Sequence, residues 1–148
     1  MSMDIYQYIE ERLNEQINWY DKKSTSHKRR YMICKIIAII CTSAIPLIAI
    51  TELPYFKFFA ILLSGIIGIS ESINWLNNDH TNWIKYRKTC ESLKHEYYAF
   101  STLTGVYKNE EHPGKLLVQR AESIISDENV NWANIQNDYQ VEKKEVIS

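Results

Sequence analysis

The chain has 148 residues, 45% of them hydrophobic, with 17 Lys and Arg against 18 Asp and Glu for a formal net charge of -1. Its mean hydropathy of -0.33 is that of an ordinary soluble domain, but the average conceals an apolar concentration between Met32 and Leu76, flanked by segments rich in Lys, Glu, Asn and Tyr. This balance, with no basic stripe interleaved with aromatics outside the apolar flanks, argues against a nucleic-acid partner. The three cysteines, Cys34, Cys41 and Cys90, lack the paired spacing of a disulfide scaffold or zinc site.

The first predicted element is a cytoplasmic helix over 3–31. Ile5, Ile9, Leu13, Ile17 and Tyr20 recur at steps of four and three, which strings them along one helical stripe. A first transmembrane helix follows over 32–51. Residues 36–50 carry no charge, and the run reaches back to Met32 if Lys35 extends its ammonium to the headgroups. That approaches the roughly 20 residues needed to cross about 30 Å of hydrocarbon. A cleavable signal peptide is not expected, because a polar helical stretch precedes the apolar run. Cys34 and Cys41 read as small buried apolar groups, and Pro46 removes a backbone donor near Thr42.

The segment Thr51-Glu52-Leu53-Pro54 reads as a turn, and a second transmembrane helix is predicted over 55–76. Basic residues cluster before the first span (Lys22, Lys23, Lys28, Arg29, Arg30, Lys35) and after the second (Lys85, Arg87, Lys88, Lys94), so both termini are expected to be cytoplasmic. A cytoplasmic extension over 77–105 carries Leu76, Trp83, Cys90 and Tyr97 at seven-residue intervals, with Tyr86, Leu93 and Phe100 between them. The N-terminal stripe is its expected packing partner. Residues 106–114 read as a connection; a C-terminal amphipathic helix over 115–134 presents Leu116, Leu117, Ala121, Ile124 and Ile125, and 136–148 reads as a disordered tail. The fold class is therefore all-α: a two-helix transmembrane hairpin extended by cytoplasmic helical arms, in a single domain over 1–135.

In the second span Ala60, Ser64, Gly68 and Ser72 follow at four-residue steps, with Glu71 and Lys57 in the same arc and bulky Phe, Leu and Ile residues opposite. The first span offers Cys34, Ala38, Cys41, Thr42 and Ala49 on one arc. Small residues let helix backbones approach closely in a membrane. This face is expected either to pack within the hairpin or, in an oligomer, to line a water path with Glu71 at its cytoplasmic mouth. Glu71 near membrane depth should face protein or water, or reach the boundary.

His27, His80, His95 and His112 are scattered and read as single surface histidines. No nucleophile elbow, phosphate-cradling loop or metal spacing is present, so neither enzyme activity nor a cofactor is expected. Glu91 and Glu96 are expected to pair with Lys94, Arg87 or Lys88.

The segments from Gln16 to Ser24, carrying Trp19, Tyr20 and Asp21, and from Trp83 to Glu96, carrying Tyr86, Arg87 and Glu91, together with Glu122 and Trp132, resemble the SLATT group of bacterial two-transmembrane domains. The likeness runs from about Gln7 to Ile135. It implies a membrane effector of a bacterial conflict or antiphage system that oligomerises and perforates or depolarises the inner membrane. Its trigger would be a separate nucleotide-signal-producing or SLOG-type sensor protein, a ligand held by the cytoplasmic helices, or assembly itself. The alternative is a non-conducting membrane anchor or scaffold for a soluble partner. The motif residues make sense as glue near the lipid boundary, and Asp21 and Arg87 are an expected ion pair between the arms.

Overall fold

The structure is a computed structural model that describes residues 4–50 and 55–128. The predicted turn at 51–54, Trp132, the end of the C-terminal helix and the 136–148 tail lie outside these residues. The described residues are all-α, without a strand. The chain divides into two compact units, Met1–Asp21 with Arg87–Ser148 (unit 1) and Lys22–Tyr86 (unit 2).

Helix α1 runs through Ile5–Ile50, α2 through Phe56–Asn77, α3 through Asp79–Ser101 and α4 through 113–128. Asp4 caps α1 with an extended backbone, its carboxylate accepting from the Ile5 N–H at 2.7 Å. Within α1, Ile9–Leu13 form a π-helical turn closed by the Asn14 N–H on the Ile9 carbonyl. Successive four-residue steps overrun an α-helical turn by about 40° each. The wider π turn winds through fewer degrees per residue and brings the apolar stripe back into line. Ile9, Leu13, Ile17 and Tyr20 are accordingly all buried.

Asn78 separates α2 from α3. Its left-handed backbone (φ 47°) suits an Asn far better than a branched residue, and its N–H closes on the Trp75 carbonyl. The break shifts the helical phase, so Leu76, expected in the α3 seam, is exposed, whereas Cys90 and Leu93 are fully buried. Helix α3 ends in a Schellman motif: the Thr104 N–H bonds the Ala99 carbonyl, and the Leu103 N–H bonds that of Phe100. Leu103 occupies the left-handed position (φ 49°) usually given to glycine. A 3-10 turn at Gly105–Tyr107 leads toward α4. That helix begins at Pro113 rather than at Lys115; proline fits the first helical position because its missing N–H would have no intrahelical acceptor there.

Unit 1 has a closed core. Leu13, Tyr20, Cys90, Leu93, Tyr107, Leu117 and Ala121 are at most 2% exposed, and a Cβ on Gly114 would lie 3.1 Å from Ile5 Cγ1. Unit 2 is the opposite. Among its described residues only Ser24, Ala38, Cys41, Ser70, Asn74 and Asp79 are buried, while Ile36, Ile39, Ile40, Leu47, Phe58, Ile61, Leu62 and Ile69 stand exposed. Two helices are long and apolar enough to cross a membrane.

Candidate functional site: the polar seam of unit 2

The least exposed positions of unit 2 follow a regular period. On α1 they are Ser24, His27, Tyr31, Cys34, Ala38, Cys41, Ile45 and Ile48; on α2 they are Phe56, Ala60, Leu63, Ile67, Ser70 and Asn74. Both sets advance by alternating steps of three and four, the signature of two helices wound about each other. The seam is apolar or small toward Ile48 and Phe56 and becomes polar toward Ser24 and Asp79.

Two ion pairs stitch the polar end. Lys35 Nζ lies 2.9 Å from each carboxylate oxygen of Glu71. Asp79 is completely buried; its Oδ1 accepts from Arg30 Nη2 at 2.8 Å and sits 2.6 Å from His27 Nδ1. His27 Nδ1 is also 2.9 Å from Arg30 Nη2. That nitrogen can donate to Asp79 or accept from Arg30, but not both, so a single proton decides which bond is made. As the first residue of α3, Asp79 also places its charge at the positive end of the helix dipole. Among the described residues, Asp79 Oδ2 and both polar atoms of the Asn74 side chain are buried without a hydrogen-bond partner.

An aromatic and basic cluster flanks this network. The Tyr31 and His80 rings are 4.9 Å apart and the His80 and Trp83 rings 5.9 Å. Lys28 Nζ lies 5.4 Å from the Trp83 ring centre and Lys35 Nζ 5.9 Å from that of Tyr31. On the buried side, His27 and Tyr86 stand 5.5 Å apart.

The residues predicted from the sequence fall on different faces. Ala38 is buried and Ala60 and Glu71 are half-buried in the seam, but Ser64, Gly68 and Ser72 are exposed, as is Thr42. The seam keeps a 3.5-residue period, whereas a four-residue stripe drifts out of it by about 50° per step. The hydroxyls of Thr42, Ser64 and Ser72 donate to the carbonyls of Ala38, Ala60 and Gly68 on their own helices. Lys35, expected to reach for the headgroups, holds Glu71 instead. His27 is no isolated surface histidine but a half-buried neighbour of Asp79. Asp79 did not stand out in the sequence, and Arg30 did so only as one of the basic residues before the first span; extending the three-four period outward from the apolar run would have brought His27 and Tyr31 into the seam.

In unit 1, Arg87 Nη1 donates to Asp21 Oδ1 at 3.2 Å and pairs with Glu91 at 2.9 Å, Lys94 approaches both carboxylates, and the exposed Trp19 stacks edge-on against buried Tyr20. Glu96, expected to join this surface group, faces inward instead. It accepts from Arg120 through both oxygens, at 2.8 and 2.6 Å, and from the Tyr107 hydroxyl at 2.7 Å. A second clamp has Glu122 accepting from Arg12 at 3.2 and 3.3 Å and from the Tyr8 hydroxyl at 2.9 Å. The Arg120 hydrogen bonds hold Glu96 below the usual carboxylate range, as those of Arg12 do for Glu122. Burial, reinforced by the acceptor carboxylates, raises the Tyr107 and Tyr8 phenols, and burial also raises the Cys90 thiol. Each shift locks its group in the resting protonation state. These clamps anchor α4 to the rest of unit 1.

Over residues 15–115 the sequence matches a family described only as a protein of unknown function, DUF4231. No curated protein and no solved structure matches the chain. Since the matched region covers more than half of its 148 residues, the chain belongs to the DUF4231 family.

Proposed function

We propose that the apolar parts of α1 and α2 cross a bacterial inner membrane as a hairpin with both termini cytoplasmic, and that the chain acts as a SLATT-type effector of a conflict or antiphage system. In this reading copies of the chain assemble and open a pore or channel when a separate nucleotide-signal-producing or SLOG-type sensor responds. The carrying observation is the bareness of the apolar helices. Only 11% and 6% of their most apolar stretches are buried, whereas a helix of that composition in a soluble core buries most of itself. The excess of Lys and Arg at the polar end of unit 2 supports the orientation. The SLATT-like motifs around Trp19 and Trp83 support the effector role.

Assembly draws support from the outer face of α2. A Cβ built on Gly65 or Gly68 meets nothing within 4 Å, so a second helix can approach closely there. The scaffold reading has one observation in its favour: the hydroxyls of Thr42, Ser64 and Ser72 already bond their own helices, so this face does not need water. Expression with a membrane-potential dye, with the triggering sensor present, separates the two. Gly68 is exposed and a Cβ added there meets nothing within 4 Å; depolarisation that disappears in Gly68→Leu, with the protein still inserted, supports assembly into a pore. Unchanged potential with the inserted wild-type chain overturns the pore and leaves the scaffold.

A further inference from the structure

We propose that the cluster of Lys28, Tyr31, His80 and Trp83 is a binding site for the phosphate headgroup of an anionic phospholipid, an inference that rests on the membrane reading above. Four observations carry it, all within unit 2. From Lys22 to Lys35 the chain has six cations and no acidic residue. The acidic groups of unit 2 among the described residues, Glu71 and Asp79, are already engaged by Lys35 and Arg30. Lys28 is exposed, with its ammonium above the Trp83 ring. Finally, Tyr31, His80 and Trp83 gather three rings at the point where the apolar helices give way to polar ones.

The chemistry is complementary to a lipid rather than to a diffusing anion. Aromatic rings at the headgroup level hold glycerol and upper acyl carbons against their faces while presenting polar edges to water. The exposed Lys28 ammonium beside them adds attraction for a net negative headgroup, about fivefold for one such residue at about 1 kcal/mol. A zwitterionic headgroup brings its own cation and gains little from Lys28. The Arg30–Asp79 and Lys35–Glu71 pairs play a different part: they fix the helix positions from which the exposed cations project.

The test uses the full chain reconstituted into phosphatidylcholine vesicles with and without a minority of phosphatidylglycerol. Resistance to alkaline extraction from the pure phosphatidylcholine vesicles reports insertion. Native mass spectrometry after mild detergent extraction from the mixed vesicles counts the lipids retained. The inserted wild-type chain should retain phosphatidylglycerol well beyond its mole ratio, Lys28→Gln should lose about fivefold of that enrichment, and Lys57→Gln, at the other end of α2, should keep it. Insertion with phosphatidylglycerol retained only at its mole ratio, or enrichment unchanged in Lys28→Gln, overturns the headgroup site and leaves the membrane reading standing. Failure of the wild-type chain to insert overturns both.

Discussion

Glu96 in unit 1 and Asp79 in unit 2 are both buried carboxylates bonded to arginine, yet their surroundings differ in kind. Glu96 has both oxygens engaged, by Arg120 and Tyr107, inside a closed apolar core. Asp79 has one oxygen engaged and one without a partner, in a unit whose apolar side chains face outward. A fully satisfied buried charge contributes to holding a fold; a half-satisfied one costs much of what it returns. Unit 1 thus closes its apolar side chains into a core of its own, while unit 2 leaves most of its described apolar side chains uncovered.

The largest effect is expected at the satisfied carboxylate. Glu96→Ala leaves Tyr107 buried without its acceptor and Arg120 without its counter-charge, and should cost about 2–3 kcal/mol, the discount from a fully buried pair reflecting the partly exposed guanidinium. Urea unfolding of the detergent-solubilised chain measures it, with hydrogen exchange over 113–128 reporting whether α4 is released. Asp79→Asn removes a charge whose second oxygen was already unpaired and should cost about 1 kcal/mol or less. Equal losses at the two positions would abolish the contrast between the units.

Acid should separate the units in the same way. Glu96 and Glu122 titrate below the ordinary carboxylate range in the folded chain because Arg120 and Arg12 bond their ionised forms. A folded value below the unfolded one means that the stabilisation is present above the ordinary range and is lost as pH falls through the depressed folded values. Exchange protection of α4 should therefore fall on acidification below that range, and the E96Q/E122Q double variant should start less protected and respond less steeply. A drop in protection of the same steepness in the double variant would place the acid sensitivity elsewhere.

The sequence was most legible where a single period governs a segment. Leu13, Ile17 and Tyr20, and Cys90 and Leu93, were assigned to buried stripes from spacing alone, and all are buried. Two local devices escaped that reading: the π turn at Ile9–Leu13, which corrects a run of four-residue steps, and the left-handed Asn78, which ends one phase and starts another. The polar seam was harder. Small residues four apart suggested one face of α2, but the contact follows a 3.5-residue period and takes Ser70 and Asn74 instead. Asp79 lies about 50 residues from His27 and Arg30, all three are of ordinary type, and only the pairing of α1 with α2 and α3 brings them together.

A modest gain is expected where backbone and side chain disagree. Leu103 holds a left-handed conformation that costs an L side chain roughly 1 kcal/mol, and its own side chain is more than half exposed. Leu103→Gly should raise unit 1 stability by somewhat under about 1 kcal/mol, because the added freedom of the unfolded chain offsets part of the relief. The same substitution at Asn78 should gain less, since asparagine tolerates that conformation. Thermal unfolding of the two variants in parallel measures the difference.

The smallest effect is expected at the surface pair. Arg87 and Asp21 are both about half exposed and separated by 3.2 Å, a geometry worth about 0.5 kcal/mol in water. Charge reversal has more leverage than the pair itself, because Arg87→Glu also faces Glu91, the second partner of Arg87. Arg87→Glu should therefore destabilise unit 1 by about 1 kcal/mol. Adding Asp21→Lys should return only part of that loss, since the repulsion from Glu91 persists and Lys94, 3.8 Å from Asp21, acquires a like-charged neighbour. Complete rescue would mean that Glu91 is too well solvated to matter, and no rescue at all would mean that the Asp21 contact contributes nothing to unit 1.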